Sequence, residues 1–489
     1  MDSVSMTGDN TKVVGLVVGA LLVALSVVML IPILAELMAN SGDSAAFLGA
    51  AVITGFVGGA LMLANQTEDR DLGHRATFLV TVLSWLSVGA FSALPFALSK
   101  VDMSYTDAFF EAMSGFTTTG ATVMVGLDMT PPGLLLWRSL LQWVGGIGII
   151  VTAVAILPFL RVGGMQLFRT ESTDRSDKVL PRPGQIAVAI GEVYLLLTLL
   201  CALAYMAAGM AAFDALNHAM TTVATAGYST HDASFGHFGS AAIDWIAVVF
   251  MISGAVPLVL YVHTARGTGE TLWGDPQVRT FLGILAAASI LMALWLAARG
   301  DYSFFTALRY TAFNITSVVT TTGFASTDYT AWGPFAVMAF LFLMFIGGCT
   351  GSTSGGMKIF RLQVLAMLLR TQIRQTLYPH VAQTLRYGNR TVSRDIVFSV
   401  ALFVFVYLAS MVAVALVLAA FGLDFITALS SAVTSIANVG PGLGPIVGPA
   451  GNFSSLPDGA KIVMALAMLL GRLELLTVLV MFSKDYWKQ

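Results

Sequence analysis

The chain reads as an all-α polytopic membrane protein: four helix–pore-helix–helix repeats in a pseudo-fourfold arrangement around one pore, plus two N-terminal transmembrane helices. Three observations predict this. Of its 489 residues, 57% are hydrophobic and only 11% charged, against about 25% charged in soluble domains. Ten apolar stretches are long enough to cross a bilayer, at roughly 20 residues per crossing. Four further segments are too short to cross, lie between long ones, and end in variants of one phrase: Thr117-Thr118-Thr119-Gly120, Ala224-Thr225-Ala226-Gly227, Thr320-Thr321-Thr322-Gly323 and Ala437-Asn438-Val439-Gly440.

The long stretches are 13–37, 45–65, 76–99, 134–160, 187–209, 240–264, 279–298, 335–370, 395–421 and 460–482. The first exceeds a signal-peptide core and lacks a small-residue cleavage pattern, so it reads as a retained helix. The eighth is overlong and broken near its middle. The first two stand outside the repeat, giving a two-helix appendage over 1–70 and pore repeats over 71–183, 184–275, 276–390 and 391–489. Cys201 and Cys349 lie far apart in apolar surroundings and read as buried free thiols. The net charge of -2 argues against a nucleic-acid partner.

Charge sets the orientation. The loop 161–186 carries Arg161, Arg169, Arg175, Lys178 and Arg182. The stretch 358–394 carries Lys358, Arg361, Arg370, Arg374, Arg386, Arg390 and Arg394, and Arg70, Arg75, Arg266, Arg279, Lys484 and Lys488 fall on the same side. The other side has Lys100, Arg299 and Arg309, with Arg138 and Lys461 near helix starts. Lys/Arg excess marks the cytoplasmic face. Both termini are therefore expected inside, and all four glycine-ended loops outside. Asp102, Asp128, Asp232, Asp301, Asp328 and Asp458 sit in the outer loops, where they either enrich cations locally or are ordinary solvated charge.

The repeat is regular. The key glycines are separated by 107, 96 and 117 residues, by subtraction of their positions. Thirteen residues before them stand Asp107, Asp214, Tyr310 and Thr427. Short amphipathic helices follow, over Ala108–Gly115, Ala215–Thr222, Thr311–Val318 and Ala428–Ser435. About ten helical residues rise only 15 Å, half a membrane. Irregular backbone at that depth is tolerated only when buried in protein or lining a wet cavity. Glycine reaches positive φ cheaply, and a ring of backbone carbonyls is how a protein replaces the water around a potassium ion. The half-helices would point their negative dipole ends at a cation below.

At these loops the chain resembles the Trk/Ktr/HKT superfamily of potassium transport proteins. The runs Ser114 to Thr122, Ala224 to Thr230, Thr320 to Ala325 and Ala437 to Gly444 carry the likeness, joined by Gly347 to Lys358 and Gly471 to Leu475. The two extra N-terminal helices are similar to the TrkH branch. The resemblance implies a K⁺ selectivity filter at Thr118, Thr119, Gly120, Thr225, Ala226, Gly227, Thr321, Thr322, Gly323, Asn438, Val439 and Gly440. K⁺ ligands are then expected from Thr118, Thr119, Thr225, Ala226, Thr321, Thr322, Asn438 and Val439. It further implies a bacterial inner-membrane uptake pore, a homodimer with one pore per subunit, and a cytosolic TrkA-type nucleotide-binding partner. K⁺ is the permeant ligand, and no organic cofactor is expected. The fourth loop departs from the others by using Asn and following its glycine with Pro441.

Gly347 to Gly356 holds five glycines among Ser and Thr, too many for a stable helix. It should unwind inside the membrane below the third loop, across the inner half of the pore, and it resembles the family's intramembrane gate. The gate residues are expected to be Gly351, Ser352, Thr353, Ser354, Gly355, Gly356 and Arg472. A phosphate loop is excluded, because Met357 separates the last glycine from Lys358 and no strand precedes. Arg472 and Glu474 fall inside the last apolar stretch, where a charge costs about 2.5–3.5 kcal/mol and is functional by default. Arg472 resembles the family's pore arginine and would repel cations until the gate moves; an ion pair with a distant acid is the alternative. A bridge to Glu474 is disfavoured, since i and i+2 do not share a helix face. Lys358 and Arg361 read as positive-inside anchors at the cytoplasmic surface, with contact to the partner as the alternative, and His218 as a packed, hydrogen-bonded histidine rather than a proton relay.

A gated K⁺ pore is the expectation. A carrier coupled to H⁺ or Na⁺ on the same fold stays open, although no chain of intramembrane acids supports a proton relay. A membrane enzyme would need clustered catalytic groups; only His218 of six histidines lies in the pore region, and no HExxH pattern exists.

Overall fold

In a computed structural model the described residues are 8–39, 41–67, 73–155, 183–267, 271–380, 386–387 and 390–487. The basic loop with Arg161, Arg169, Arg175, Lys178 and Arg182, and also Arg70 and Lys488, lie outside them. The described chain is almost wholly helical. Seven helices are long and apolar enough to cross a membrane, and nine if two sharply bent pairs each count as one span. One two-residue hairpin pairs Arg386 with Thr391 and Tyr387 with Arg390.

The first expected span is two helices, α1 (Gly8–Val28) and α2 (Ile31–Ala39), followed by α3 (Ser44–Ala64). α1 and α3 press together where Gly19 and Gly58 each abut the other helix's backbone. Repeat one runs through α4 (His74–Ser92), α5 (Leu94–Leu98), pore helix α6 (Tyr105–Phe116) and α7 (Pro132–Ala155). Repeat two holds α8 (Pro183–Ala207), pore helix α9 (Ala212–Val223), α10 (Ala241–Ala255) and α11 (Leu258–Arg266). Repeat three holds α12 (Pro276–Ala298), pore helix α13 (Phe304–Val319), α14 (Pro334–Leu343) and α15 (Ile359–Leu377). Repeat four holds α16 (Arg394–Ala420), pore helix α17 (Phe425–Ala437), the short α18 (Gly444–Val447), α19 (Asp458–Arg472) and α20 (Leu476–Leu479). A last turn, α21 (Lys484–Trp487), follows.

All four pore helices start earlier than expected, and in the first, third and fourth a cap upstream supplies an acceptor for an early amide. Ser104 accepts from Asp107 N, Ser303 from Thr306 N and Asp424 from Thr427 N. Thr427 hydrogen bonds hold the Asp424 carboxyl below the usual carboxylate range. The pore helices have 12, 12, 16 and 13 residues, or roughly 18–24 Å, still short of a ~30 Å hydrocarbon core.

Two apolar stretches expected as single spans are bent. The stretch 240–264 turns by 89° between α10 and α11, at Pro257, whose lack of an amide proton ends a helix. The stretch 460–482 turns by 106° after α19. There Glu474 takes a φ of +61°, uncommon for a side-chain-bearing residue. Glu474 is therefore outside the helix rather than within it. The break in 335–370 lies where its glycines put it, with no helix between Leu343 and Ile359. Cys201 and Cys349 are both buried and free.

Candidate functional site

Each pore helix ends in a loop of the same backbone form. The residue two before the key glycine is left-handed in every repeat: Thr118 at φ +55°, Thr225 at +50°, Thr321 at +58° and Asn438 at +56°. The glycines follow at +84°, +82°, +87° and +112°. For a β-branched residue this φ is an outlier costing on the order of 1–3 kcal/mol, and three threonines share it. The amides between turn back onto their own pore helices. Thr119 N donates to Ser114 O at 2.9 Å, Ala226 N to Thr221 O at 2.9 Å, Thr322 N to Ser317 O at 2.8 Å and Val439 N to Thr434 O at 3.1 Å. The same five-residue step recurs in all four loops.

The carbonyls are left differently. Among the described residues no hydrogen bond reaches the carbonyl oxygens of Thr118, Thr119, Gly120, Thr225, Gly227, Thr321, Thr322, Gly323, Asn438 or Val439. Ala226 O accepts from Gln142 Nε2 at 2.6 Å, and Gly440 O from Thr434 Oγ1 at 3.0 Å. Buried carbonyls are ordinarily paired, so a set with its amides tied back and its oxygens free is suited to water or a cation. Ala226 is the weakest donor of the expected set, because an amide proton already occupies its oxygen.

The four loops close a ring. A Cβ placed on Gly120 would strike Ala226 O, one on Gly227 would strike Thr322 O, and one on Gly323 would strike Val439 O. A Cβ on Gly440 would stand 2.9 Å from Thr119 O. Each glycine thus faces the middle carbonyl of the next repeat, and the fourth returns to the first. Gly120, Gly227, Gly323 and Pro441 share a cavity of about 70 Å³ with Arg138 and His231.

The glycine-rich loop packs directly against this ring. A bridge between Ile346 and Met357 closes its neck, with Gly347 N donating to Met357 O at 2.9 Å. It bonds the second, third and fourth repeats. Thr353 Oγ1 lies 3.0 Å from Thr225 Oγ1 and donates to Val223 O and Gly254 O at 3.1 and 3.0 Å. Gly355 N donates to Thr321 Oγ1 at 2.6 Å, and Ser354 Oγ sits 3.2 Å from the same hydroxyl. Gly356 N donates to Ala437 O at 2.8 Å, and Gly351 O accepts from Leu258 N at 3.1 Å. Ser352 Oγ stays within the loop, on Cys349 O at 2.6 Å. The Thr225 and Thr321 hydroxyls are thus engaged by the glycine loop, while their carbonyls stay free. Thr118 Oγ1 and Asn438 Oδ1 are buried without a partner.

Arg472 ends α19, one residue after Gly471, whose Cα hydrogens pack on Ile436 O. It is 4% exposed, and its Nε and Nη2 have no hydrogen-bond partner. No acid pairs with it among the described residues. Glu474 instead pairs with Arg361, whose guanidinium also lies 3.6 Å over the Phe403 ring. Arg361 and Lys358 are both buried, and Lys358 Nζ donates to Ser354 O of the glycine loop. They are internal fasteners rather than the expected surface anchors, since burial with a specific acceptor outweighs interfacial anchoring. His218 is packed as expected, with Asp214 O at 2.8 Å and Ser229 Oγ at 2.9 Å on its two nitrogens.

Three residues behind the ring escaped the sequence reading. Glu111 in α6 pairs with Arg138 in α7 at 2.8 Å, and both are buried. Arg138 also donates to Ser229 O at 2.7 Å and stacks 4.1 Å over Tyr228. Gln142 Oε1 accepts from Tyr228 N at 2.9 Å while its amide holds Ala226 O. Together they brace the first two loops. A sequence signal existed: Arg138 and Gln142 are polar, four apart, in an otherwise apolar helix.

Comparison with known proteins places this geometry. Residues 43–489 match the TrkH family profile, described as a cation transport protein. The chain is 45% identical over 482 residues to the Trk system potassium uptake protein TrkI of Halomonas elongata, covering 97% of this chain and 96% of the relative. It is 38% identical over 478 residues to TrkH of Salmonella typhimurium, covering 97% and 98%. The crystal structure of the potassium transporter TrkH from Vibrio parahaemolyticus superposes with a TM-score of 0.90 at 36% identity, covering 98% of this chain and all of that one. A profile match over nearly the whole chain, full-length relatives and a shared fold make this membrane protein a member of the TrkH family of cation transport proteins.

Proposed function

We propose that this chain takes up K⁺ across the bacterial inner membrane, through a pore whose selective element is the ring of four loops. The observation that carries the reading is the closed cycle of loops with their amides tied back and ten carbonyl oxygens free. Such oxygens replace an ion's hydration shell. Thr118, Thr119, Thr225, Thr321, Thr322, Asn438 and Val439 are the leading ligands through their free carbonyls, with Ala226 contributing less because Gln142 holds its oxygen. Relatives named as potassium uptake proteins support K⁺ as the permeant ion.

In the same reading, Gly351 to Gly356 and Arg472 form the gate. The loop obstructs the inner side of the ring through hydrogen bonds to three repeats, and an unpaired buried guanidinium repels a cation beneath it. Opening requires the loop to leave Thr225, Thr321 and Ala437. A homodimer with both termini cytoplasmic, and a cytosolic TrkA-type nucleotide-binding subunit that works the gate, complete the proposal. The relatives' designation as parts of a Trk system supports a multi-component assembly.

The test is the reversal potential of purified protein in liposomes under K⁺ and Na⁺ gradients at two pH values. The pore reading expects a potential near the K⁺ equilibrium value that ignores pH. A reversal potential that moves with pH or with Na⁺ in a fixed ratio would replace it with coupled symport.

A further inference from the structure

Two histidines and a carboxylate meet at the outer rim of the ring, and neither the ring nor the glycine loop uses them. His231 and His237 stack with ring centroids 3.5 Å apart and planes 4° apart. His231 Nδ1 lies 2.5 Å from Asp128 Oδ1, and His237 Nδ1 lies 4.0 Å from the same oxygen. One ligand atom from each of the three falls within 4.8 Å of the others.

The cluster is pre-assembled by groups that are not ligands. Asp128 comes from the outer loop of repeat one and the histidines from that of repeat two. Asp232 clamps the two loops together, its carboxylate accepting from Gly126 N and Leu127 N at 3.1 Å. Behind His231, Nε2 is buried without a hydrogen-bond partner and stands 3.6 Å from Asp214 Oδ2. The other Asp214 oxygen is fixed by Thr230 Oγ1 at 2.7 Å. An imidazole bound to a metal through Nδ1 presents its Nε2–H outward, and a carboxylate there fixes its tautomer and raises its basicity.

We propose that Asp128, His231 and His237 form an external binding site for a transition-metal dication of the Zn²⁺ class. Two imidazoles and one carboxylate suit Zn²⁺, with water in the fourth position. Ca²⁺ and Mg²⁺ prefer all-oxygen shells and are excluded by the same donors. Tetrahedral ligands with bonds of about 2.0–2.2 Å stand roughly 3.3 Å apart. The His231–Asp128 contact must therefore open slightly and the His237–Asp128 gap close by a similar amount. His237 and Asp128 are each nearly half exposed, so side-chain rotation suffices. His231 also lines the outer cavity with Gly120, Gly227 and Gly323. A dication there opposes the approach of another cation, so external Zn²⁺ inhibits uptake. The inhibition rests on the pore reading; the binding does not.

Titration of the tag-free, full-length chain in detergent with ZnCl₂, followed by calorimetry, tests the binding. One Zn²⁺ per chain is expected, with no response to CaCl₂, and Co²⁺ should give the visible absorption of a tetrahedral site. His237→Gln and Asp128→Asn should each abolish this, and Asp214→Asn should weaken affinity about tenfold. In proteoliposomes external Zn²⁺ should inhibit K⁺ flux until EDTA is added. His237→Gln should conduct as wild type without metal and resist Zn²⁺. Absence of stoichiometric binding, or equal binding by His237→Gln and Asp128→Asn, overturns the site. Binding that those variants lose, with flux indifferent to Zn²⁺ throughout, overturns the inhibition alone.

Discussion

Replacing Gly227 by alanine separates backbone strain from ring geometry, because Gly239 supplies a matched control. Both glycines lie in repeat two with positive φ, +82° and +58°. An L-residue in the left-handed region costs roughly 1–2 kcal/mol, and Gly239→Ala should cost that and no more, since no atom lies within 4 Å of its added Cβ. Gly227→Ala bears the same backbone cost and also drives its methyl carbon well inside contact with Thr322 O, with Thr322 C at 2.9 Å and Gly323 C at 3.2 Å. Those atoms are ring backbone and cannot rotate away, so the third loop must shift outward. The assay is a thermal melt of each purified variant, paired with K⁺/Na⁺ permeability ratios from bi-ionic potentials in liposomes. Gly239→Ala should melt slightly earlier and keep wild-type selectivity. Gly227→Ala should lose at least about tenfold in K⁺ preference, the equivalent of about 1.4 kcal/mol of differential ion binding. Wild-type selectivity in a folded Gly227→Ala protein would refute the reasoning that this glycine and its neighbouring carbonyl set the ring.

Other outcomes follow from the same contacts. Thr353→Val removes the hydroxyl that holds Val223 O, Gly254 O and Thr225 Oγ1; at about 1 kcal/mol per hydrogen bond it should favour the open gate and raise basal K⁺ flux, and lowered flux would count against the gate. Arg472→Gln removes an unpaired buried guanidinium and should raise single-channel conductance at unchanged selectivity; unaltered conductance would remove its gating role. Glu111→Ala leaves Arg138 buried and without its carboxylate, a loss of about 3–5 kcal/mol that a melting curve should register as a large fall in transition temperature.

Much of the fold was legible because its parts obey local rules. The glycines of 347–356 forecast an unwound segment, and the four Thr/Asn-x-Gly phrases forecast four pore helices. The two sharp bends were not forecast, since each stretch is long and apolar enough to read as a single span. Pro257 was a local signal for the first, whereas at Glu474 a left-handed φ in a side-chain-bearing residue leaves no mark in the sequence. Lys358 and Arg361 carried the right charge for anchors, and only three-dimensional packing reveals Ser354 O and Glu474 as their partners. The brace of Glu111, Arg138 and Gln142 went unseen for a related reason: Arg138 and Gln142 share α7, but their partners lie in α6 and the second loop, and such pairing is a tertiary fact. The ring itself was anticipated as four matching loops with a departure at Asn438 and Pro441. Its further asymmetry, with Ala226 O taken by Gln142 and two threonine hydroxyls by the glycine loop, depends on tertiary neighbours that lie far apart in the sequence.

The most direct measurement is anomalous diffraction from crystals grown in Rb⁺ or Tl⁺, both of which substitute for K⁺. Ions held by the loop carbonyls should give peaks on the axis at the level of Thr118, Thr119, Thr225, Thr321, Thr322, Asn438 and Val439, within coordinating distance of all four repeats. Well-resolved loops with no axial peak, or peaks confined to other sites, would contradict the account.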